Sequence, residues 1–389
     1  MNRLLRNSEE HFQKYLTPNQ FQTLSILISL LNQYKEVKIE KLATYFPLPI
    51  LFESRRKHIQ RFLILKSLSI VLIWFPIIKL IITQQFPVDF PLIIALDRTQ
   101  WKDNNIFMIS VIWHRHALPI YWNILSKRGA SNLNEQKALI RPVLKLLNKY
   151  HIIIIGDREF HSIELATWLK KEKQRTKKKI DFALRQKKDT FFHKGGKTYN
   201  KLSEIEIKKG VKQIKMGIKL TKKTGFSRNN VGIYQRKNRQ DKKYNEPWYI
   251  LTSLGTVEEV FKIYSYRSGI EAMFKDCKTG GYNLEGTHAN ISRLTNLVLL
   301  IAIAYTNKAL YGEILKKKGQ QKYIGRPEEK RRKTRRHSEF WLGLYGEVWC
   351  DNYENYREEI QIIMGLNANK LVHYQQGLKA MENIKKVYE

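Results

Sequence analysis

Apolar residues along the first 85 positions recur at helical spacing. "FQTLSILISLLNQY", "KIEKLATYF" and "ESRRKHIQRFLILKSLSIVLIWF" each set Leu, Ile and Phe on one stripe of a 3.6-residue period, with few strand signals between them. The pattern predicts a helical domain over residues 1–86. After the turn-like "QQFPVDFP" the texture changes, and "LIIALDRTQW", "IFMISVIW" and "LPIYWNIL" follow one another closely enough for an antiparallel meander. Then "NEQKALIRPVLKLLNKY" reads as a helix, "HIIIIGD" as a buried strand, "SIELATWLKKEK" as a helix and "IDFALR" as a strand. Three strands, helix, strand, helix, strand is the order expected of an α/β sheet covered by helices, here over residues 87–186.

From 187 to 252 the alternation stops. Lysine-rich, glycine-punctuated pieces such as "GVKQIKMGIKL" and "NNVGIYQRK" end in "PWYILTSL" and read as a β-rich insertion. Helices return with "TVEEVFKIYSYRSGIEAMFKDCK" and the apolar "NISRLTNLVLLIAIAYTNKALYGEIL", long and hydrophobic enough to pack on the sheet, so 253–312 reads as the second part of the core. The low-complexity run 316–337, "KKKGQQKYIGRPEEKRRKTRRH", leads into "FWLGLYGEVW" and a helical tail. Residues 313–389 are thus expected to form a basic helical C-terminal region serving dimerisation or DNA contact.

Charge narrows the class. Seventy basic residues stand against 35 acidic ones, giving +35 and a pI near 10, which favours a polyanionic partner over small acidic ligands. Glu53 to His58, followed by Gln60 and Arg61, could dock a helix on phosphates, although a solvated helix face carries the same pattern. Cys277 and Cys350 lack CxxC spacing, so neither a disulfide framework nor a zinc site is indicated and a reduced, cytoplasmic setting is expected. The N-terminus has no continuous apolar segment of the signal-peptide kind. The most apolar run, residues 67–78, is broken by Pro76, falls short of the roughly 20 residues a bilayer requires, and is expected in the core rather than in a membrane.

Two aspartates occupy matching positions. Asp97 closes the strand "LIIAL", and Asp157 follows "HIIIIG". Strand-end carboxylates face the edge where α/β sheets collect ligands, although Asp also begins ordinary turns. A third carboxylate, Glu271, lies in "YSYRSGIEAMFKDCK" (264–278); on one continuous helix Tyr264, Arg267, Glu271 and Lys278 would fall within an arc of roughly 60°. The bland alternative for that stripe is an exposed Arg267–Glu271 ion pair worth roughly 0.3 to 0.5 kcal/mol. If Asp97, Asp157 and Glu271 converge, they repel by about 4 kcal/mol per pair at an effective dielectric near 20, so the cluster needs protons or cations. Oxygen-only ligands point to magnesium or manganese, the ions of two-metal phosphoryl transfer.

Together these residues resemble the DDE transposases of bacterial insertion sequences, specifically the subgroup with the YREK signature. Tyr264, two residues, Arg267, three residues, Glu271, six residues and Lys278 reproduce that signature without a gap. "LDRTQW" and "GDREF" look like the segments carrying the family's two aspartates, and a β-rich insertion before the glutamate helix is also a feature of the subgroup. The similarity spans about residues 87 to 312.

The resemblance implies an RNase H-like mixed sheet flanked by helices and interrupted by the insertion, with a DNA-binding N-terminal domain. It implies Asp97, Asp157 and Glu271 as catalytic metal ligands for two Mg2+ ions, with Mn2+ able to substitute. The implied reaction is cut-and-paste transposition: strand nicking, hairpin formation and resolution, and transfer into target DNA. A homodimer acting on terminal inverted repeats of double-stranded DNA in the bacterial cytoplasm is expected. Tyr264, Arg267, Lys275 and Lys278 match DNA contacts, and Trp248 matches a tryptophan that stacks on a flipped base, against the plain alternative of a buried structural Trp. A metal-dependent nuclease or resolvase, or a noncatalytic basic nucleic-acid binder, would share the charge.

Overall fold

A computed structural model describes residues 3–195, 198–221, 227–237, 246–326 and 336–389. The part of the basic run at 327–335 and the insertion segments 222–226 and 238–245 lie outside the described residues. The chain divides into two compact units, 75–274 and 1–74 with 275–389.

The first of these is built on a ten-stranded sheet. Strands β1 (Leu92–Trp101), β2 (Asn104–Trp113) and β3 (His116–Ile124) form an antiparallel meander. Both connections are two-residue hairpins, Lys102-Asp103 and His114-Arg115, and each opens on a residue with positive φ (50° and 54°), as twisted hairpins of that length require. Next come β4 (Ile152–Gly156), β5 (Ile180–Arg185), β6 (Phe191–Gly195), β7 (Thr198–Lys201), β8 (Lys212–Leu220), β9 (Ser227–Tyr234) and β10 (Trp248–Thr252). The spatial order is β3-β2-β1-β4-β5-β10-β9-β8-β6-β7, with β4 parallel to β1 and β5 parallel to β4. A three-stranded meander followed by two parallel strands is the RNase H-like arrangement. Strand β4 is buried along its whole length, which is why "IIII" needs no polar alternation.

The insertion does not form a separate sheet. Its last strand, β10, pairs antiparallel with β5 on one side and β9 on the other, extending the core sheet through β8 to β7. Helices α7 (Leu133–Leu146) and α8 (Ile163–Thr176) complete the alternation. Asn132 and Glu135 close a capping box at the start of α7, and the Ser162 hydroxyl accepts from Leu165 N at the start of α8.

The other unit is helical: α1 (Arg3–Asn7), α2 (Glu9–Gln13), α3 (Pro18–Tyr34), α4 (Ile39–Tyr45), α5 (Phe52–Phe62), α11 (Ile291–Lys317), α12 (Gln321–Ile324), α13 (Glu339–Asn355), α14 (Arg357–Leu366) and α15 (Leu371–Tyr388). The long apolar helix α11 packs with α13, α3 and α15 as the axis of the helical unit. By length and composition alone it could cross a bilayer, yet its apolar window is mostly buried within the fold. Its crossing with α13 is glycine-on-glycine. A Cβ on Gly312 would lie 1.7 Å from Glu339 O, and one on Gly343 would lie 1.9 Å from Lys308 O.

Two local expectations also change. Pro76 does not break the apolar run: a π-helical turn, Ile70–Trp74, leads directly into α6 (Phe75–Gln85), and the missing N–H of Pro76 falls just after that wider turn. On α5 the cations are largely engaged internally. Arg56 grips Glu53 at 2.7 and 2.8 Å, Arg55 donates to the carbonyls of Ala43 and Ile50, and His58 meets the Thr23 hydroxyl.

Candidate active site

Asp97 and Asp157 are placed by strand register. Leu96 of β1 pairs with Gly156 of β4, the last pair of that parallel ladder, so the two aspartates follow at one level of adjacent strands. Asp97 does not end its own strand, as the sequence pattern implied; β1 continues against β2 as far as Trp101. What ends at Leu96 is the pairing with β4, and that opening gives both carboxylates room. Gly156 is required here because any Cβ would lie 2.8 Å from the Phe160 ring, which is buried beneath the turn.

A polar brace fixes the two segments. Asp97 Oδ1 accepts from Arg98 N and Asp157 Oδ1 from Glu159 N, both at 2.8 Å. Arg98 Nε in turn donates to Glu159 Oε2 at 2.8 Å, while Glu159 Oε1 accepts from the Ser131 backbone N–H and hydroxyl at 2.9 Å. The side chain that follows Asp97 is thus tied to the one two residues beyond Asp157. Sequence reading passed over Arg98, Glu159 and Ser131, although the shared Asp-Arg of "LDRTQW" and "GDREF" was a visible signal.

The helix carrying Glu271 is interrupted. Helix α9 (Val257–Ser265) ends, Tyr266 and Arg267 form a turn, and α10 (Ser268–Cys277) begins. The continuous four-residue stripe is therefore corrected: Tyr264 lies in the last turn of α9, Arg267 sits at the joint, Glu271 lies in the first turn of α10, and Lys278 follows that helix. Arg267 Nη2 holds Glu271 Oε1 at 2.5 Å, with the Glu271 side chain 52% exposed and that of Arg267 19%. Tyr264 is buried, which raises its phenol pKa. Burial would lower the Arg267 pKa, but the neighbouring Tyr264 and Glu271 raise it overall. Lys278 is occupied by Glu285 at 2.6 Å, and Lys275 is exposed.

Asp97 registers all of this. Burial pushes its carboxyl up to about 7, the charges of Asp157 and Glu271 push the same way, and the Arg98 N–H and Arg267 oppose them. Among the described residues no three His, Cys, Asp or Glu side chains are grouped closely enough to hold a metal ion. Glu271 is engaged by Arg267 instead. The donor chemistry still fits a hard divalent cation, since Asp97 and Asp157 offer only oxygen.

Trp248 opens β10 and is half-buried. Tyr264 meets its ring edge-on at 5.2 Å, and the guanidinium carbons of Arg185 and Arg236 lie 5.8 and 5.1 Å from its centroid. An aromatic face flanked by cations suits a nucleobase beside its phosphates.

The transposase DDE domain family matches residues 95–307, more than half of the chain and a span that contains both aspartates and Glu271. The chain belongs to that family. It is accordingly a transposase, a DNA cleavage and transfer enzyme of a family that generally uses divalent metal ions. No curated protein gives a significant match. Among solved structures, the piggyBac transposase in a synaptic complex with hairpin DNA is similar at 14% identity and a TM-score of 0.44, over 94% of this chain and 75% of the other.

Proposed function

We propose that this transposase moves an insertion sequence of the YREK subgroup by a cut-and-paste route, nicking one strand at the element's end, forming and resolving a hairpin, and joining the end to target DNA. The reading is carried by the Leu96–Gly156 register, which sets Asp97 beside Asp157 at the end of a parallel ladder.

Asp97, Asp157 and Glu271 would hold two Mg2+ ions, with Mn2+ as a substitute. Bound there, the ions would supply charge neutralisation at the scissile phosphate and activation of the attacking hydroxyl. The protein's own groups divide the remaining work. Arg98 and Glu159 keep the aspartates in register. Arg267 releases Glu271 and turns to a DNA phosphate, with Tyr264, Lys275 and Lys278 as further backbone contacts. Trp248 stacks on an extruded base, offsetting part of the few kcal/mol that extrusion costs. The protein acts as a homodimer on inverted repeats of double-stranded DNA, in a bacterial cytoplasm at the nucleoid.

The test is incubation of the purified protein with DNA carrying the element's ends, with and without Mg2+. Nicks followed by hairpins and joined products are expected, and Asp157→Ala should yield none of them. Cleavage that never proceeds to hairpins or joined products would instead indicate a simple nuclease, and metal-dependent nicking by Asp157→Ala would refute the site.

A further inference from the structure

Glu246 lies two residues before Trp248, beside the end of β5. Its Oε2 is shared by two guanidinium groups: it pairs with Arg158 Nη2 and lies 3.7 Å from Arg185 Nη2. Arg158 directly follows Asp157, and Arg185 ends β5. Arg236 and Arg185 flank the same Trp248 ring, and Arg185 also feels the charge of Arg267. Two arginines thus share one carboxylate, with Arg236 on the neighbouring Trp248 ring, within a chain of net charge +35.

The contact uses these groups poorly. A guanidinium fork presents donors matched to two oxygens of a planar or tetrahedral oxyanion. Arg185 instead meets a single oxygen at long range, while its Nε is buried without a hydrogen-bond partner. A phosphodiester, tetrahedral and not tethered to this strand, can turn its two non-bridging oxygens to both arginines together. Without Glu246, Arg158 and Arg185 would face each other with no shared counterion, so a local carboxylate keeps the pair together.

We infer that Glu246 is a built-in stand-in for a DNA phosphate, occupying the position formed by Arg158 and Arg185 until the phosphodiester backbone displaces it. The inference rests on the transposase reading and adds to it one phosphate-binding position and a competitor for that position. Because Glu246 must leave before the phosphate enters, it opposes binding.

The experiment compares wild type and Glu246→Gln for binding to a duplex carrying the element's terminal sequence, at several salt concentrations, with thermal unfolding as the check on folding. Glu246→Gln keeps the shape and removes the competing charge, so it should bind about three- to tenfold more tightly. The gain should vanish when Arg158→Ala and Arg185→Ala are combined with it. Glu246→Ala should give the same ordering. A fixed structural ion pair predicts weaker or unchanged binding in both Glu246 variants, and that result would overturn the inference, as would a gain that survives loss of both arginines. Absence of metal-dependent cleavage by the wild type would remove the transposase reading, while the binding comparison would still decide the role of Glu246.

Discussion

Arg98 and Glu159, 61 residues apart, join at 2.8 Å and lock together the two segments that carry Asp97 and Asp157. Both side chains are largely buried, at 17% and 13% exposure, and Glu159 is further held by Ser131. The carboxylate pair therefore sits on a rigid frame, which metal-dependent phosphoryl transfer needs for its geometry.

Asp97→Ala should lower DNA nicking by on the order of a thousandfold or more while leaving affinity for the element's ends nearly unchanged. Cleavage gels and binding titrations on one preparation check this. Nicking at wild-type rate would remove Asp97 from the active site.

Arg267→Ala frees Glu271 from its ion pair and removes one cation. The salt dependence of binding should become shallower, the logarithmic slope falling by about 0.9 for one lost phosphate contact. A slope equal to that of wild type would mean that Arg267 serves Glu271 alone.

Trp248→Ala should slow hairpin formation by about tenfold or more relative to first-strand nicking, since one base stack is worth about 1–3 kcal/mol. Trp248→Phe should recover part of the loss. Equal slowing of both steps would assign the ring to packing against Tyr264 and Arg185.

Burial raises the Asp276 carboxyl from 3.8 to about 7, against the Ser338 hydroxyl and Lys275. The folded state then holds this proton more tightly than the unfolded chain does, so stability falls as pH climbs from about 4 through about 7. Asp276→Asn removes the dependence. The unfolding free energy of the variant minus that of wild type, from denaturant titrations, should increase between pH 5 and pH 8 by an amount on the order of 2 kcal/mol. A difference that stays flat or shrinks would show that Asp276 is not held protonated.

Gly343→Ala should destabilise the protein by about 1–3 kcal/mol or more, because its new methyl would overlap Lys308 O on α11. Gly365, on α14, has nothing within 4 Å of a Cβ, so Gly365→Ala should be neutral or stabilising by up to about 1 kcal/mol. Thermal melts of the pair check the contrast.

The parts of this molecule that local chemistry decides were legible in the chain. Alternation and turn residues gave β1 to β3, the buried "IIII" gave β4, and the two Asp-Arg segments marked the candidate site. The break between α9 and α10 was not legible, because apolar periodicity continues across it. It coincides with a tertiary contact: a Cβ on Gly269 would lie 2.7 Å from His116 O, so the start of α10 rests directly on the β2–β3 hairpin. Nor did the all-round apolar face of α11 reveal its neighbours; such a face shows that a helix is buried, not against what. The Arg98–Glu159 and Arg158–Glu246 pairs join residues 61 and 88 positions apart, which no local spacing encodes.

The slot that β10 fills between β5 and β9 has a consequence for synthesis. A ribosome releases β5 well before Trp248–Thr252, so one side of β5 waits with unpaired backbone groups until the later strand emerges. A chain cut short before residue 252 keeps that open side and lacks Glu271 as well. Premature termination therefore leaves a fragment with an open, sticky strand edge, which only translation past β10 closes.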